Sequence, residues 1–153
     1  LMNEKITQII SQHQSMKGAL LPLLHAIQDE VGYIPADSVG DIAKSLNLSR
    51  AEVHGVITYY HFFRQEPAGK NVVQICRAEA CQACGAEELM NFAEKILGCS
   101  QHETTKNGQV TLEPVYCLGM CASSPAIQVN DHIHARINSD KLKKILEKVG
   151  GSK

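Results

Sequence analysis

The chain contains no tryptophan, and its aromatic residues are only four tyrosines and three phenylalanines. Aliphatic side chains must therefore supply most of any core. No apolar run approaches the roughly 18 residues of a spanning helix, so membrane insertion is not expected. Charge of one sign is also lacking: 15 Lys and Arg stand against 16 Asp and Glu, for a net charge of −1. That balance gives no electrostatic footprint for nucleic acid or for an anionic membrane surface. A phosphate-cradling glycine-rich loop and a dinucleotide fingerprint are both missing, so the chain itself should not bind NAD. The seven histidines form no ligand-spaced set and sit beside no obvious nucleophile. His132 and His134 would share one strand face, as on a surface hairpin. The opening residues, Leu1-Met-Asn-Glu-Lys5, lead into no signal-type apolar segment. The six cysteines are then expected as reduced thiols or metal ligands rather than a disulfide framework, in a cytoplasmic protein.

What is present falls into two parts with different periodicities. Residues 3–64 read as short helices. Ile6, Ile9 and Ile10 open one, with His13 closing the same face. Leu20, Leu23, Leu24, Ile27 and Val31 form an amphipathic stripe, with Pro22 tolerable only in the first turn and Gly32 as a C-cap before Pro35. Val39, Ile42, Ala43 and Leu46 mark a third helix. Ser49-Arg-Ala-Glu52 is a capping box for a fourth, whose apolar face is Val53, Val56, Ile57 and Tyr60. Short single-striped helices must bury their stripes against one another, which predicts a small helical bundle over 1–65. Four of the seven aromatic residues crowd into Tyr59-Tyr-His-Phe-Phe63, either plugging a joint or meeting a partner surface. Gln65-Glu-Pro-Ala-Gly-Lys70 is polar, holds both chain breakers and serves as the boundary.

From residue 71 to 153 the pattern predicts β-α-β-β-β-α. Asn71–Ile75 is a buried strand, and a helix runs from about Gly85 to Leu97 with Leu89, Phe92, Ala93 and Ile96 on its inner face. Asn107-Gly108 is a hairpin turn between Glu103–Lys106 and Gln109–Leu112, within an apolar run reaching Tyr116. A second hairpin joins Ala126–Val129 to Ile133–Ile137, and Ser139 caps a last helix carrying Leu142, Ile145, Leu146 and Val149. The order implies an α/β (α+β) layering of helices on a mixed sheet.

Two cysteine pairs close β-prone runs: Cys76-x4-Cys81 after the first and Cys117-x3-Cys121 after the second, with 35 residues between Cys81 and Cys117. Two strand-end loops carrying two thiolates each can converge on one inorganic centre, such as a [2Fe–2S] cluster held by four sulfurs. Ala78, Ala80, Ala83, Gly85, Gly119, Ala122 and Ser123 keep these loops small enough for backbone N–H groups to approach sulfur. Structural zinc and unrelated buried thiols are the competing readings, since zinc more often takes Cys-x2-Cys pairs. Cys76-x4-Cys81-x2-Cys84 also fits the plant-type ferredoxin spacing. Cys84-Gly85 sits where the helix must begin, however, which favours the two-plus-two set and leaves Cys84 and Cys99 as free thiols. A cluster without substrate apparatus means electron transfer: a subunit or a carrier, with no turnover expected from the chain alone. A free ferredoxin would not need the bundle at 3–64; a zinc-stabilised interaction module would be colourless.

Leu20-Leu-Pro-Leu-Leu-His-Ala-Ile-Gln-Asp-Glu-Val-Gly-Tyr-Ile-Pro35, Val53-His-Gly-Val-Ile-Thr-Tyr-Tyr-His-Phe-Phe63 and Cys117-Leu-Gly-Met-Cys-Ala-Ser-Ser-Pro125 resemble a known family across nearly the whole chain. These are the thioredoxin-like [2Fe–2S] subunits of NADH-linked oxidoreductases, found in respiratory NADH:quinone oxidoreductase, NAD-reducing hydrogenases and NAD-dependent formate dehydrogenase. Cys76-Arg-Ala-Glu-Ala-Cys-Gln-Ala83 and Asp131-His-Ile-His-Ala-Arg136 look most like the formate dehydrogenase gamma subunit. The resemblance implies a helical bundle followed by a thioredoxin-like domain, and a cluster bound by Cys76, Cys81, Cys117 and Cys121. It also implies a larger partner subunit carrying FMN, NAD and a [4Fe–4S] cluster. In formate dehydrogenase, a further subunit with a molybdenum cofactor would oxidise formate to carbon dioxide.

Overall fold

The computed structural model describes residues 2–150, and the chain divides after Pro67 into two compact units. The first is all-helical: α1 (Met2–His13), α2 (Leu20–Val31), α3 (Ser38–Ser45) and α4 (Arg50–Tyr59). Its core is aliphatic, built on Leu23, Leu24, Ile27, Ile42 and Val53, all fully buried. Pro22 lies in the first turn of α2, and Gly32 ends that helix at φ +91, a conformation that costs a residue without a Cβ little. The capping box forms: Ser49 Oγ accepts from Glu52 N–H at 3.1 Å, and the Glu52 carboxylate accepts from Ser49 N–H at 2.7 Å. Such a cap contributes about 1 kcal/mol. Tyr60 departs from the expected stripe. Helix α4 ends at Tyr59 and Tyr60 is already extended, so helical spacing no longer decides where its ring points. Of its neighbours, Phe63 is buried in the core while Tyr59 and Phe62 are 75% and 55% exposed.

A buried glutamine holds this segment. Gln28 donates from Nε2 to Phe62 O and accepts from Arg64 N–H at Oε1, both at 2.7 Å. Arg64 O in turn accepts from Ile34 N–H. The His25 ring lies 4.9 Å from that of Phe62 and 5.0 Å from that of Phe63.

The second unit is a mixed five-stranded sheet with helices, in the order β2-β3-β1-β4-β5. Its elements are β1 (Asn71–Cys76), α5 (Glu79–Ala83), α6 (Ala86–Leu97), β2 (Glu103–Thr104), β3 (Val110–Val115), β4 (Ile127–Val129), β5 (His132–His134) and α7 (Ser139–Lys148). β1 runs parallel to β3, and the remaining pairs are antiparallel. Val73, Ile75, Val110, Leu112 and Ile127 pack with Leu89, Met90 and Ala93 of α6 and Leu142 and Leu146 of α7. Phe92 and Ile96, placed on the inner face of α6 by their spacing, are only partly buried at the margin of this core.

Several local expectations are corrected. The first hairpin does not turn on a two-residue Asn107-Gly108 loop: Thr105 N–H pairs with Val110 O, and the loop is longer. The two-residue turn needs both central residues at positive φ, whereas Asn107 instead uses its side chain to accept from Thr105 Oγ1 and Gln109 N–H. In the second hairpin β5 stops at His134, two residues before Arg136 adopts φ +49. Asn138, not Ser139, caps α7: Asn138 is the extended residue before the helix, and its Oδ1 accepts from Lys141 N–H at 2.9 Å, while Ser139 already lies inside. Gly85 lies outside α6 as its N-cap, at φ +93.

Candidate metal centre

Parallel pairing fixes the site. Cys76 at the end of β1 is in register with Val115 at the end of β3, so both strands release their loops at the same end of the sheet. Arg77 N–H to Val115 O (2.8 Å) and Cys76 N–H to Ala126 O (3.1 Å) close that end. The first loop turns into α5, which carries Cys81; five residues are too few to leave a periodic signal in the sequence. The second loop runs through Gly119 (φ +73) into a 3₁₀ turn over Cys121–Ser123. Cys117 sits at φ +137, where residues with a side chain are strained by about 1–3 kcal/mol, a cost found at functional loops.

The four predicted thiols lie at this end with different exposures. Cys76 and Cys81 are 2% and 3% exposed, in a small cluster with Ala86 and Ala126 that is separate from the main core. Cys117 and Cys121 are exposed, with Sγ atoms 3.9 Å apart. Each sulfur has polar neighbours, several of them from the opposite loop. Gly119 N–H donates to Cys117 Sγ at 3.3 Å. Burial pushes the Cys76 thiol up, opposed by N–H groups of Ala78 and of Leu118 in the second loop. Burial pushes Cys81 up as well. There the Ser124 hydroxyl, the Ala126 N–H and Cys76 together outweigh it, and the thiol is held below its usual range. Cys121 is raised by its hydrogen bond with Cys117 and then by the charge of Cys117, with a smaller effect from Cys81. Like charges this close disfavour each other; a bound cation reverses that balance and deprotonates coordinating thiols outright.

Among the described residues, no three His, Cys, Asp or Glu side chains are grouped as they would be around a single ion. The thiols are arranged as two pairs. Cys84 follows α5 as an exposed thiol, and Cys99 is half-buried beside Glu94 and Glu103, where burial and then those carboxylates raise it. All six cysteines are free.

Two neighbours carry more than the sequence reveals. Arg77, whose orientation cannot be read from spacing, meets the Glu87 carboxylate through Nε and Nη2 at 2.7–2.9 Å and Gln101 through Nη1 at 2.7 Å. This ties the residue after Cys76 to the first turn of α6. Ser124 lies 3.4 Å from Cys81 Sγ through its Oγ, which also donates to Cys121 O at 2.8 Å. Nothing in a Ser-Ser-Pro run announces that contact. The Ser124–Pro125 peptide is cis. His132 and His134 line a cleft of about 680 Å³ together with Asn71, Lys70, Lys144 and Lys148, at the start of β1 and away from the thiols. No helix among the described residues is long and apolar enough to cross a membrane.

The sequence profile of one family, described as thioredoxin-like [2Fe–2S] ferredoxin, matches residues 6–150. The chain is 34% identical over 146 residues to an NADH-quinone oxidoreductase subunit of Rhizobium meliloti, covering 95% of this chain and 87% of that one. It is 32% identical over 147 residues to an NADH-quinone oxidoreductase subunit of Aquifex aeolicus, covering 96% and 92%. In fold it is similar to a chain in the crystal structure of an air-oxidised NAD+-reducing [NiFe]-hydrogenase, with a TM-score of 0.70 at 19% identity. That match covers 85% of this chain but only 22% of the hydrogenase chain.

Proposed function

The chain belongs to the thioredoxin-like [2Fe–2S] ferredoxin family, whose cofactor is a [2Fe–2S] cluster, and on that premise we propose that Cys76, Cys81, Cys117 and Cys121 hold the cluster in an electron-transfer subunit of an NADH-linked oxidoreductase. One observation carries this reading. Two thiol pairs leave two parallel, in-register strands at one end of the sheet, and N–H groups of Leu118 and Ala126, from the second loop, face the sulfurs of the first. Two pairs suit two irons, each taking two thiolates.

When bound, the cluster supplies one-electron chemistry. The chain's own residues do the rest. Cys76 and Cys81 hold the inner side out of water, between Ala86 and Ala126. Cys117 and Cys121 form the outer, exposed side, facing where a redox partner can approach. N–H groups of Ala78, Leu118, Gly119 and Ala126 offset thiolate charge. Glu87 and Gln101 hold Arg77, and with it the loop, in one place.

The proposed partner is a larger subunit binding FMN, NAD and a [4Fe–4S] cluster, supported by relatives named as subunits of NADH-quinone oxidoreductase. The exposed Tyr59 and Phe62 of the helical unit are the proposed contact with it. Within the family, the segments Cys76–Ala83 and Asp131–Arg136 favour the gamma subunit of NAD-dependent formate dehydrogenase, with a molybdenum-containing, formate-oxidising subunit in the same complex. The relatives' names favour the corresponding component of NADH:quinone oxidoreductase. The proposed compartment is the cytoplasm, where thiols stay reduced.

Iron and sulfide analysis with visible absorption and EPR spectra of the purified chain tests the site. Serine at any of the four ligands should abolish or greatly weaken the cluster signal, while Cys84→Ser and Cys99→Ser keep it. A native spectrum in Cys117→Ser together with its loss in Cys84→Ser overturns the assignment. A colourless, zinc-bearing chain overturns the cluster itself.

A further inference from the structure

We propose that Ser124 is a positioning residue for the cluster: its hydroxyl donates to the Cys81 thiolate and raises the potential of the one-electron couple. This rests on the ligand assignment just made. The Ser124 Oγ stands between the two loops, 3.4 Å from Cys81 Sγ on one and 2.8 Å from Cys121 O on the other. With Cys81 as a thiol, the protons can run in one direction, from sulfur to Ser124 Oγ and from Ser124 to the Cys121 carbonyl.

As a ligand, Cys81 has no proton to give. The only proton available for the Cys81–Ser124 contact is then the serine's own. A hydroxyl donating to an anion makes a bond roughly twice as strong as one donating to a neutral carbonyl, so the hydroxyl turns toward sulfur. Cys121 is exposed, and water can take over at its carbonyl, so the turn leaves no buried acceptor unsatisfied. Cys81 lies in the buried half of the site, where water competes least for the sulfur.

A donor to a ligand sulfur stabilises the more negative, reduced state more than the oxidised one, and hydrogen bonds to sulfur are among the factors that set cluster potentials. Reduction changes no bonds in the chain. The electron comes from the titrating reductant, and the hydroxyl proton stays on Ser124.

The test is a redox titration of the full-length, cluster-loaded chain with dithionite, followed by EPR. Ser124→Ala and Ser124→Gly should make reduction roughly tenfold less favourable, a fall of about 59 mV for a one-electron couple. Ser124→Thr keeps a hydroxyl and should return the potential to the wild-type value, which a merely structural role would not require. Should neither hydroxyl-free variant load, the wild type decides. A proton coupled to the reduced cluster that exchanges in D2O as fast as a hydroxyl, unlike the slower backbone N–H groups, and is retained in Ser124→Thr supports the proposal, and its absence from the wild type overturns it. An unshifted potential in loaded Ser124→Ala also overturns it while the ligand assignment stands. A wild-type chain without any [2Fe–2S] signal defeats the ligand assignment instead.

Discussion

Replacing Gln28 with leucine tests how the exposed aromatic segment is held. Gln28 is only 8% exposed, and its side chain pairs with both Phe62 O and Arg64 N–H, each at 2.7 Å. The substitution keeps the side-chain volume close to constant, so no cavity term enters. It removes one donor and one acceptor. A half-buried group that loses its partner costs about 1–3 kcal/mol, so the two together cost about 3 kcal/mol. Greater apolar burial by leucine offsets about 1 kcal/mol of this. The net loss is about 2 kcal/mol, equivalent to a fall of about 30-fold in the protection of core amides that open by unfolding of this unit. Native-state hydrogen exchange on Leu24 and Ile27, both in α2, reads the number directly, and the Ile34 amide, bonded to Arg64 O, should lose at least as much. Wild-type protection in Gln28→Leu would show that the glutamine only decorates a segment held by Phe63.

Two further outcomes are expected. Changing exposed Tyr59 and Phe62 together to serine should move stability by less than about 1 kcal/mol but weaken co-purification with the proposed flavin-binding subunit at least tenfold; unaltered assembly would place the partner surface elsewhere. For Glu52, bonding to the Ser49 backbone and then to its hydroxyl lowers the carboxyl below its ordinary 4.5. Its contribution is therefore complete above about pH 4.5 and is lost as pH falls through the lowered value. Urea unfolding of the wild type should weaken as pH falls below about 4.5 more than that of Glu52→Gln, and parallel curves would refute the cap's role.

Much of the fold is legible because periodicity and capping are local. The stripe Leu23, Leu24, Ile27, the Gly32 stop and the Ser49–Glu52 box each follow from residues a few positions apart. The order of helices and strands is likewise readable, with two exceptions: α5 is too short to repeat, and two hairpins follow α6, giving four strands where the order β-α-β-β-β-α counts three. Chain ends of elements were harder. Asn138 and Ser139 are both good N-caps by type, and only the backbone decides which side chain reaches Lys141 N–H. Asn107 carried a turn signal but spends its side chain on Thr105 instead. At the site, the spacing of Cys76, Cys81, Cys117 and Cys121 stood out, whereas Ser124 and the Glu87–Arg77 pair did not. Their roles depend on contacts between segments ten to forty-odd positions apart, which no local pattern encodes.

The parallel pairing of β1 with β3 also governs when the site can exist. Asn71 meets Val110, and Cys76 meets Val115, only after the chain between them has been laid over the sheet, since parallel neighbours cannot be joined by a tight hairpin. Contacts this distant in sequence form slowly, because loop-closure entropy must be met before they give anything back. Each cysteine pair by itself is local and present from the moment of synthesis; the four-sulfur arrangement is not. On the ligand set proposed above, a young chain therefore offers two isolated dithiols, each able to capture a stray thiophilic ion, well before it offers a cluster site. With those ligands, insertion would follow sheet formation, through the exposed side at Cys117 and Cys121, and pulse-labelled refolding with and without a cluster donor would read that order directly.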